Sequence, residues 1–177
     1  MSQKIISIGQ LQKGDIILST TSDSVSKVVK FATNSKYSHS RIYIGNGDMI
    51  EAIDPKVWKE EVAKVMKGDL YTAVYRYAGL TEMQKLKIVH YADQQRGKEY
   101  DLSGAIGSSR VGMMASPALT ITNLIDSESD FYCSELVAFA YKHAGVRLEF
   151  FASATTPKDL AQNKKLEYIG HLKVGKK

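Results

Sequence analysis

Cys133 is the only cysteine in the sequence, and its position at the start of a predicted helix favours a nucleophile. An acidic, turn-prone run at 126–130 leads into an apolar face with helical spacing, formed by Cys133, Leu136, Val137, Ala140, Tyr141 and Ala144. With Ser129 or Asp130 as the cap, Cys133 lies in the first turn. Backbone N–H groups and the helix dipole stabilise a thiolate there. On position alone, a buried structural cysteine remains the alternative.

A histidine and a glutamate twelve positions apart, His39 and Glu51, lie on the two strands of a predicted hairpin at 40–53. A two-residue turn at Asn46-Gly47 would place Glu51 opposite Ile42, where the carboxylate would be buried among apolar side chains. A three-residue loop at 45–47 shifts the register by one position. We prefer this second register because it avoids an unpaired buried carboxylate.

In the preferred register the two faces of the hairpin differ in chemistry. The apolar face carries Ile42, Ile44, Ile50 and Ala52, and the other carries His39, Arg41, Tyr43 and Glu51. Glu51 then lies near the His39 side chain and can orient its imidazole ring.

Thiol catalysis needs a nucleophile, a base and a group that orients the base, and Cys133, His39 and Glu51 are of these types. Histidine takes the thiol proton and later returns it to the leaving group, while a carboxylate fixes the tautomer and stabilises the imidazolium. The alternative interpretations are a hydrogen-bonded structural histidine for His39 and a surface carboxylate for Glu51.

Strands and helices are interspersed along the chain, which predicts an α+β fold. We expect a single domain spanning 1–177, with no repeat or linker. Besides the hairpin, the predicted strands are 14–19, 71–77 and 166–169, and the predicted helices are 22–32, 81–95, 133–145 and 157–162. The segment 102–125 has Arg110 as its only charge, which is typical of a buried wall of the domain or of a cavity for an apolar substrate.

The composition and charge of the sequence exclude several classes of protein and of binding site. One cysteine excludes an intramolecular disulfide, and the sequence has neither a secretory signal nor an apolar run long enough to cross a bilayer, which predicts a cytoplasmic protein unless export uses a signal-independent route. The net charge of +5 with scattered lysines is typical of a solvated surface, and no aromatic–basic pattern predicts nucleic-acid binding. No histidine has a second ligand at zinc spacing and the glycines do not form a phosphate loop, so we expect no metal and no cofactor.

Five short motifs together resemble a known family. Residues 14–16 (GDI), 37–39 (YSH), 43–47 (YIGNG), 50–52 (IEA) and 131–137 (FYCSELV) are similar to the YiiX-like branch of the NlpC-type cysteine peptidase superfamily. The resemblance implies a circularly permuted papain-like fold in which the histidine precedes the cysteine. It also implies Cys133 as nucleophile, His39 as base and Glu51 as the third polar residue.

The resemblance extends to the rim of the site. Lecithin retinol acyltransferase-like proteins share the permuted arrangement and also have a polar residue twelve positions after the histidine. Relatives usually carry small apolar residues after the histidine, whereas this chain has Ser40-Arg41. Arg41 would recognise a substrate carboxylate or lie solvated at the rim. The candidate substrate-binding residues are thus Tyr37, Arg41 and Tyr132, with Tyr37 also a candidate second oxyanion donor beside the N–H of Cys133.

Three functions follow as hypotheses. The first is a cofactor-free cysteine hydrolase that cleaves an amide in a cell-wall (peptidoglycan-type) peptide through an acyl-enzyme, because non-permuted relatives cut bonds around γ-glutamyl and diamino acid residues. The second keeps the fold and acts on a lipid or acyl ester, supported by the uncharged segment 102–125. The third is a binding module that has lost the chemistry.

Overall fold

The protein is described by a computed structural model that covers residues 4–20, 35–69, 71–100, 130–148 and 155–173. Within these ranges the strands are β1 (Ile5–Ile6), β2 (Ile16–Thr20), β3 (His39–Gly45), β4 (Asp48–Ile53), β5 (Lys56–Glu61), β6 (Tyr71–Arg76), β7 (Glu99–Tyr100), β8 (Asp130–Phe131) and β9 (Glu167–Leu172). The α-helices are α1 (Val62–Val65), α2 (Glu82–Gln94), α3 (Cys133–His143) and α4 (Pro157–Gln162), and a 3-10 turn spans Ile8–Gln10.

The nine strands of the described residues form one sheet in the order β1-β9-β6-β2-β3-β4-β5-β7-β8. The outer pairs β1–β9 and β7–β8 are parallel, and the strands between them pair antiparallel. A mixed sheet packed against helices confirms the predicted α+β class.

The sheet has an apolar cluster on each face. On one face, α2 and α3 pack over the central strands, and Leu136, Val137 and Tyr141 of α3 share a cluster with Ile42 and Ile50 of the hairpin. The other face carries a smaller cluster formed by Ile6, Leu11, Ile17, Tyr43, Met49, Val62, Met66, Val74 and Leu172. The predicted face of α3 therefore packs on β3 and β4, although the helix is buried on its other sides too, from Cys133 to Tyr141.

The β3–β4 hairpin has the preferred register, but it reaches that register by a different route. Ile42 pairs with Ile50 and Tyr43 with Met49, as expected for the longer loop. Gly45 nevertheless pairs with Asp48 across a two-residue turn, and a bulge between Tyr43 and Gly45 absorbs the one-residue difference. Positive φ angles at Asn46 (57°) and Gly47 (84°) suit such a tight turn.

Most predicted helix bounds agree with the structure to within a residue or two. Helix α2 begins after Thr81, whose side chain accepts a hydrogen bond from the N–H of Gln84, and α4 spans the predicted 157–162. Helix α3 begins at Cys133 after Tyr132, so the predicted cap at Asp130 is wrong: that residue belongs to β8. The predicted helix 22–32, the segment 102–125 and Ser129 lie outside the described residues.

Candidate active site

Three elements bring the predicted catalytic side chains to one place. His39 is the first residue of β3, Glu51 lies in the neighbouring strand β4, and Cys133 is the first residue of α3. Strand β8 pairs with β7 and leads into α3, so the sheet itself fixes the start of the helix. Burial of the apolar face of α3 against β3 and β4 then sets Cys133 beside His39.

The carboxylate of Glu51 receives hydrogen bonds from two side chains of β3. His39 Nε2 lies 2.8 Å from Glu51 Oε2, and Arg41 Nε donates to the same oxygen at 2.6 Å. All three side chains are buried, with exposed fractions of 8%, 4% and 1% for His39, Glu51 and Arg41. Because an ionised carboxylate only accepts hydrogen bonds, Nε2 carries a proton and Nδ1 is the ring nitrogen that remains for the thiol.

Polar groups of two elements surround the Cys133 sulfur. Ser134 Oγ lies 3.9 Å from it, and His39 and Ser40 of β3 both lower the pKa of the thiol. Ser40 Oγ also lies 3.2 Å from Ser134 Oγ, which links β3 to the first turn of α3. The thiol therefore lies among donors that stabilise its anion, although its residue is only 6% exposed.

These contacts shift the three pKa values in the directions that favour an ion pair. Burial raises the pKa of Cys133, but the charge and hydrogen bond of His39 and the hydrogen bonds of Ser40 outweigh it and lower the value from 9.0 to about 7. Burial and Arg41 lower the pKa of His39, yet Cys133 and Glu51 raise it from 6.5 to about 9. Burial raises the pKa of Glu51, whereas His39 and Arg41 lower it from 4.5 to about 2. Thiolate, imidazolium and carboxylate therefore coexist near neutral pH.

The prediction for Arg41 needs correction. It lies on the predicted face of β3, but it is neither solvated at the rim nor available to a substrate carboxylate. Its Nη1 donates to Asp69 Oδ2 at 2.8 Å and to Ser19 Oγ at 2.6 Å, while Nε binds Glu51. Sequence reasoning missed Asp69 and Ser19. The sequence signal that could have indicated such partners was Arg41 itself, because an arginine on a buried strand requires an anionic partner.

Tyr37 and Tyr132, the other two candidate substrate-binding residues, are also buried, and their hydroxyl groups bond within the protein. Tyr37 is 2% exposed, and its hydroxyl lies 3.2 Å from that of Tyr75, away from the role of oxyanion donor that the sequence suggested. Tyr132 is 2% exposed and its hydroxyl donates to the carbonyl of Thr155 at 2.8 Å. In this structure both hydroxyls hold the fold around the site together.

Two other described histidines, His171 and His143, have partners outside this group. His171 Nε2 lies 2.7 Å from the Tyr71 hydroxyl, and His143 stacks on Tyr91 with ring centroids 4.3 Å apart. Among the residues that the structure describes, no three His, Cys, Asp or Glu side chains are grouped so that they could hold a metal ion. In the same part of the chain no helix is long and apolar enough to span a bilayer.

Comparison with known sequences gives a family match and two curated relatives. A family model described as a permuted papain-like amidase enzyme, YaeF/YiiX, matches residues 10–111, a range that includes His39 and Glu51 and ends before Cys133. The probable lipoprotein peptidase YaeF of Escherichia coli strain K12 is 25% identical over 207 residues, covering 98% of this chain and 75% of YaeF. YiiX of the same strain is 29% identical over 146 residues, covering 78% of this chain and 62% of YiiX.

Among solved structures, the crystal structure of YiiX from Escherichia coli O157:H7 superposes with a TM-score of 0.69 at 22% identity. The alignment covers 91% of this chain and 97% of that one, so the two folds agree over nearly their whole lengths. That YiiX is described as a metalloprotein. The described residues of the present chain offer no matching group of ligands, and the likeness is one of fold.

Proposed function

Because this chain belongs to the permuted papain-like amidase family of YaeF and YiiX, we propose that it is a cysteine-dependent amidase with Cys133 as nucleophile, His39 as general base and acid, and Glu51 as the orienting carboxylate. The family match supports a peptidase or amidase. The thiol mechanism and the substrate class are the proposal.

One observation supports the mechanism: His39 is hydrogen-bonded to the carboxylate of Glu51 and also interacts with the Cys133 thiol. Its Nε2 is 2.8 Å from Glu51, and its interaction with Cys133 lowers the pKa of the thiol to about 7. A purely structural histidine would not need an ionised neighbour on each side, since burial alone favours its neutral form. The arrangement is the one that activates a sulfur nucleophile at neutral pH.

The steps follow from these positions. The Cys133 thiolate attacks the amide carbonyl carbon, and the resulting oxyanion meets the N–H of Cys133, which has no partner within α3 because it is the first residue of the helix. The His39 imidazolium then gives its proton to the amide nitrogen, the C–N bond breaks, the amine leaves and a thioester remains. His39 next takes a proton from water, the hydroxide attacks the thioester, and the acid leaves with regeneration of the thiolate–imidazolium pair.

We propose a cell-wall-type peptide as the substrate, with cleavage next to a γ-glutamyl or diamino acid residue. Two likenesses support this class: non-permuted relatives cut such bonds, and YaeF bears the name of a peptidase. The alternative of a lipid or acyl ester depended on the segment 102–125, which lies outside the described residues, and no described residue favours it.

The test is hydrolysis of γ-glutamyl–diamino acid peptides by the wild type and by Cys133→Ala, with products identified by mass spectrometry. We expect turnover in the wild type, an acyl adduct on Cys133 in a rapidly quenched reaction, and a loss of at least about 1000-fold in kcat in the variant. Turnover that survives in Cys133→Ala would overturn the thiol mechanism. Hydrolysis that requires detergent or liposomes would point to an acyl-ester substrate instead of a peptide.

A further inference from the structure

We propose that Arg41 and Asp69 form a buried positioning pair for the site, in which Arg41 fixes the Glu51 carboxylate and Asp69 neutralises Arg41. The inference rests on the proposed function, since it concerns the group that orients His39. It extends the site from three residues to five, across β3, β4, α3 and the turn before β6.

The geometry leaves Arg41 no other role in the described part of the chain. Its Nε donates to Glu51 Oε2 at 2.6 Å, and Nη1 and Nη2 face the two oxygens of Asp69 at 2.8 and 3.4 Å. Nη1 also donates to Ser19 Oγ on the adjacent strand β2 at 2.6 Å. The exposed fractions of the Arg41 and Asp69 side chains are 1% and 2%, so water does not screen these charges.

The first consequence is orientation. Glu51 Oε2 is held from one side by His39 and from the other by Arg41, so the carboxylate cannot rotate without losing one of them. A planar guanidinium suits this task because its donors diverge in fixed directions and bind two carboxylates at once. A lysine ammonium on the same strand would lack that geometry.

The second consequence is charge balance. Arg41 by itself would oppose the imidazolium of His39 and would neutralise Glu51, the anion that stabilises it. Asp69 offsets Arg41 and so leaves the negative charge of Glu51 to act on His39. The charged groups with the largest effects on the pKa of His39 are Arg41 from β3, Cys133 from α3 and Glu51 from β4, and Asp69 acts beside them by offsetting Arg41.

This arrangement predicts opposite effects from two variants. Asp69→Asn leaves Arg41 uncompensated, so the pKa of His39 should fall by about one unit, as expected for a buried charge several ångströms away. Arg41→Gln removes the opposing cation, so the pKa of His39 should rise. A role in packing alone would not produce shifts of opposite sign.

The matched control is Asp15→Asn. Asp15 is 1% exposed and binds Arg76 through both oxygens at 2.7 Å, so it forms a comparable arginine–aspartate pair on the same sheet away from Glu51. The Asp15→Asn variant should have a lower free energy of unfolding than the wild type, because this ion pair is lost. The pKa of His39 should stay at its wild-type value.

The measurement is NMR titration of the four imidazole groups, with His39 assigned through His39→Ala. The basic limb of kcat/KM should move in the same direction as the imidazole pKa. If only one of Asp69→Asn and Arg41→Gln folds, that variant alone still tests the proposal, because each has its own expected direction of shift in the pKa of His39. Unchanged His39 titration in the folded variants, or a shift of the same size in Asp15→Asn, would overturn the inference.

The two proposals can fail separately. If Cys133→Ala keeps full hydrolysis while the His39 shifts appear, the proposed mechanism is wrong and the positioning pair stands as an electrostatic unit. If hydrolysis requires Cys133 but His39 titrates alike in all variants, the positioning pair alone is wrong.

Discussion

At the scale of single residues, the proposed mechanism gives the two nitrogens of His39 separate tasks. Nε2 is committed to Glu51 at 2.8 Å, so proton exchange with Cys133 falls to Nδ1. Because Glu51 has a pKa near 2, it stays ionised throughout the working pH range and keeps this tautomer in place. The chemistry of the site therefore depends on one oriented ring.

We predict that His39→Ala raises the pKa of Cys133 from about 7 to near 9, because the positive charge and hydrogen bond of His39 are lost. Iodoacetamide alkylation against pH, read by intact mass, measures this directly since the chain has a single cysteine. The rate at pH 7 should fall by only about 5- to 10-fold, because the more basic thiolate is also the better nucleophile. His143→Ala, at the far end of α3, should keep the wild-type midpoint. A midpoint near 9 in the wild type would instead favour the binding-module hypothesis.

At the scale of elements, the Tyr132 hydroxyl ties the residue before α3 to the carbonyl of Thr155. We predict that Tyr132→Phe lowers the free energy of unfolding by about 1 kcal/mol, because the hydrogen bond to Thr155 is lost. It should also lower kcat with little change in KM, since Cys133 is the next residue and the Tyr132 ring is buried. Chemical denaturation and steady-state kinetics provide the two measurements.

Tyr141→Phe is the matched comparison within the same helix. The Tyr141 hydroxyl is also buried and donates to the carbonyl of Gly14 at 2.7 Å, toward the other end of α3. This variant should lose about the same stability and keep kcat. Equal kcat losses in the two variants would show that general loosening of the helix, not the anchoring of Cys133, is responsible.

The elements were largely predictable because their signals are local. The cap at Thr81, the helix-ending Gly145 and the periodic face of α3 are all readable within one or two turns of chain. The hairpin register followed from the cost of burying an unpaired Glu51. The bulge that produces it could not be predicted, since the sequence permits a tight turn and a longer loop equally well at 45–47.

The proximity of His39, Glu51 and Cys133 was predictable, whereas the buried pair of Arg41 and Asp69 was not. Arg41 and Asp69 are 28 positions apart, and they meet only because β2, β3 and the turn before β6 come together in the sheet. Nothing local to Asp69 marks it as a buried anion. Tyr37 and Tyr132 were placed in a substrate site because they flank His39 and Cys133 in sequence, but the direction of a side chain depends on tertiary packing.

At the scale of the whole molecule, the buried charges make stability depend on pH. The folded pKa of Glu51 lies below its ordinary value of 4.5, so the stability it provides is complete above that pH and is lost as the pH falls toward 2. We predict a loss of up to about 3 kcal/mol from this group over that interval. The difference in unfolding free energy between wild type and Glu51→Gln, measured by denaturant at pH 6, 4 and 3, isolates it. A difference that does not change with pH would contradict this assignment.

On the alkaline side, His39 and Cys133 should offset each other. The raised pKa of His39 gives stability that is complete below 6.5 and lost as the pH rises through 9. The lowered pKa of Cys133 gives stability that is complete above 9 and lost as the pH falls through 7. The free energy of unfolding should therefore change little between pH 7 and pH 9. The same denaturant series extended to pH 9 measures this dependence.

The position of β9 has a consequence for synthesis. This strand is the last of the described elements to be translated, yet it lies between β1, the first, and β6. A nascent chain that has not yet passed Leu172 presents two unpaired strand edges to other chains, and Gly170, where a Cβ would lie 2.7 Å from the carbonyl of Lys4, lets β9 fit closely against β1 once it emerges. Until β9 has been made, β1 and the free edge of β6 therefore lack the strand that joins them and are open to pairing with other chains.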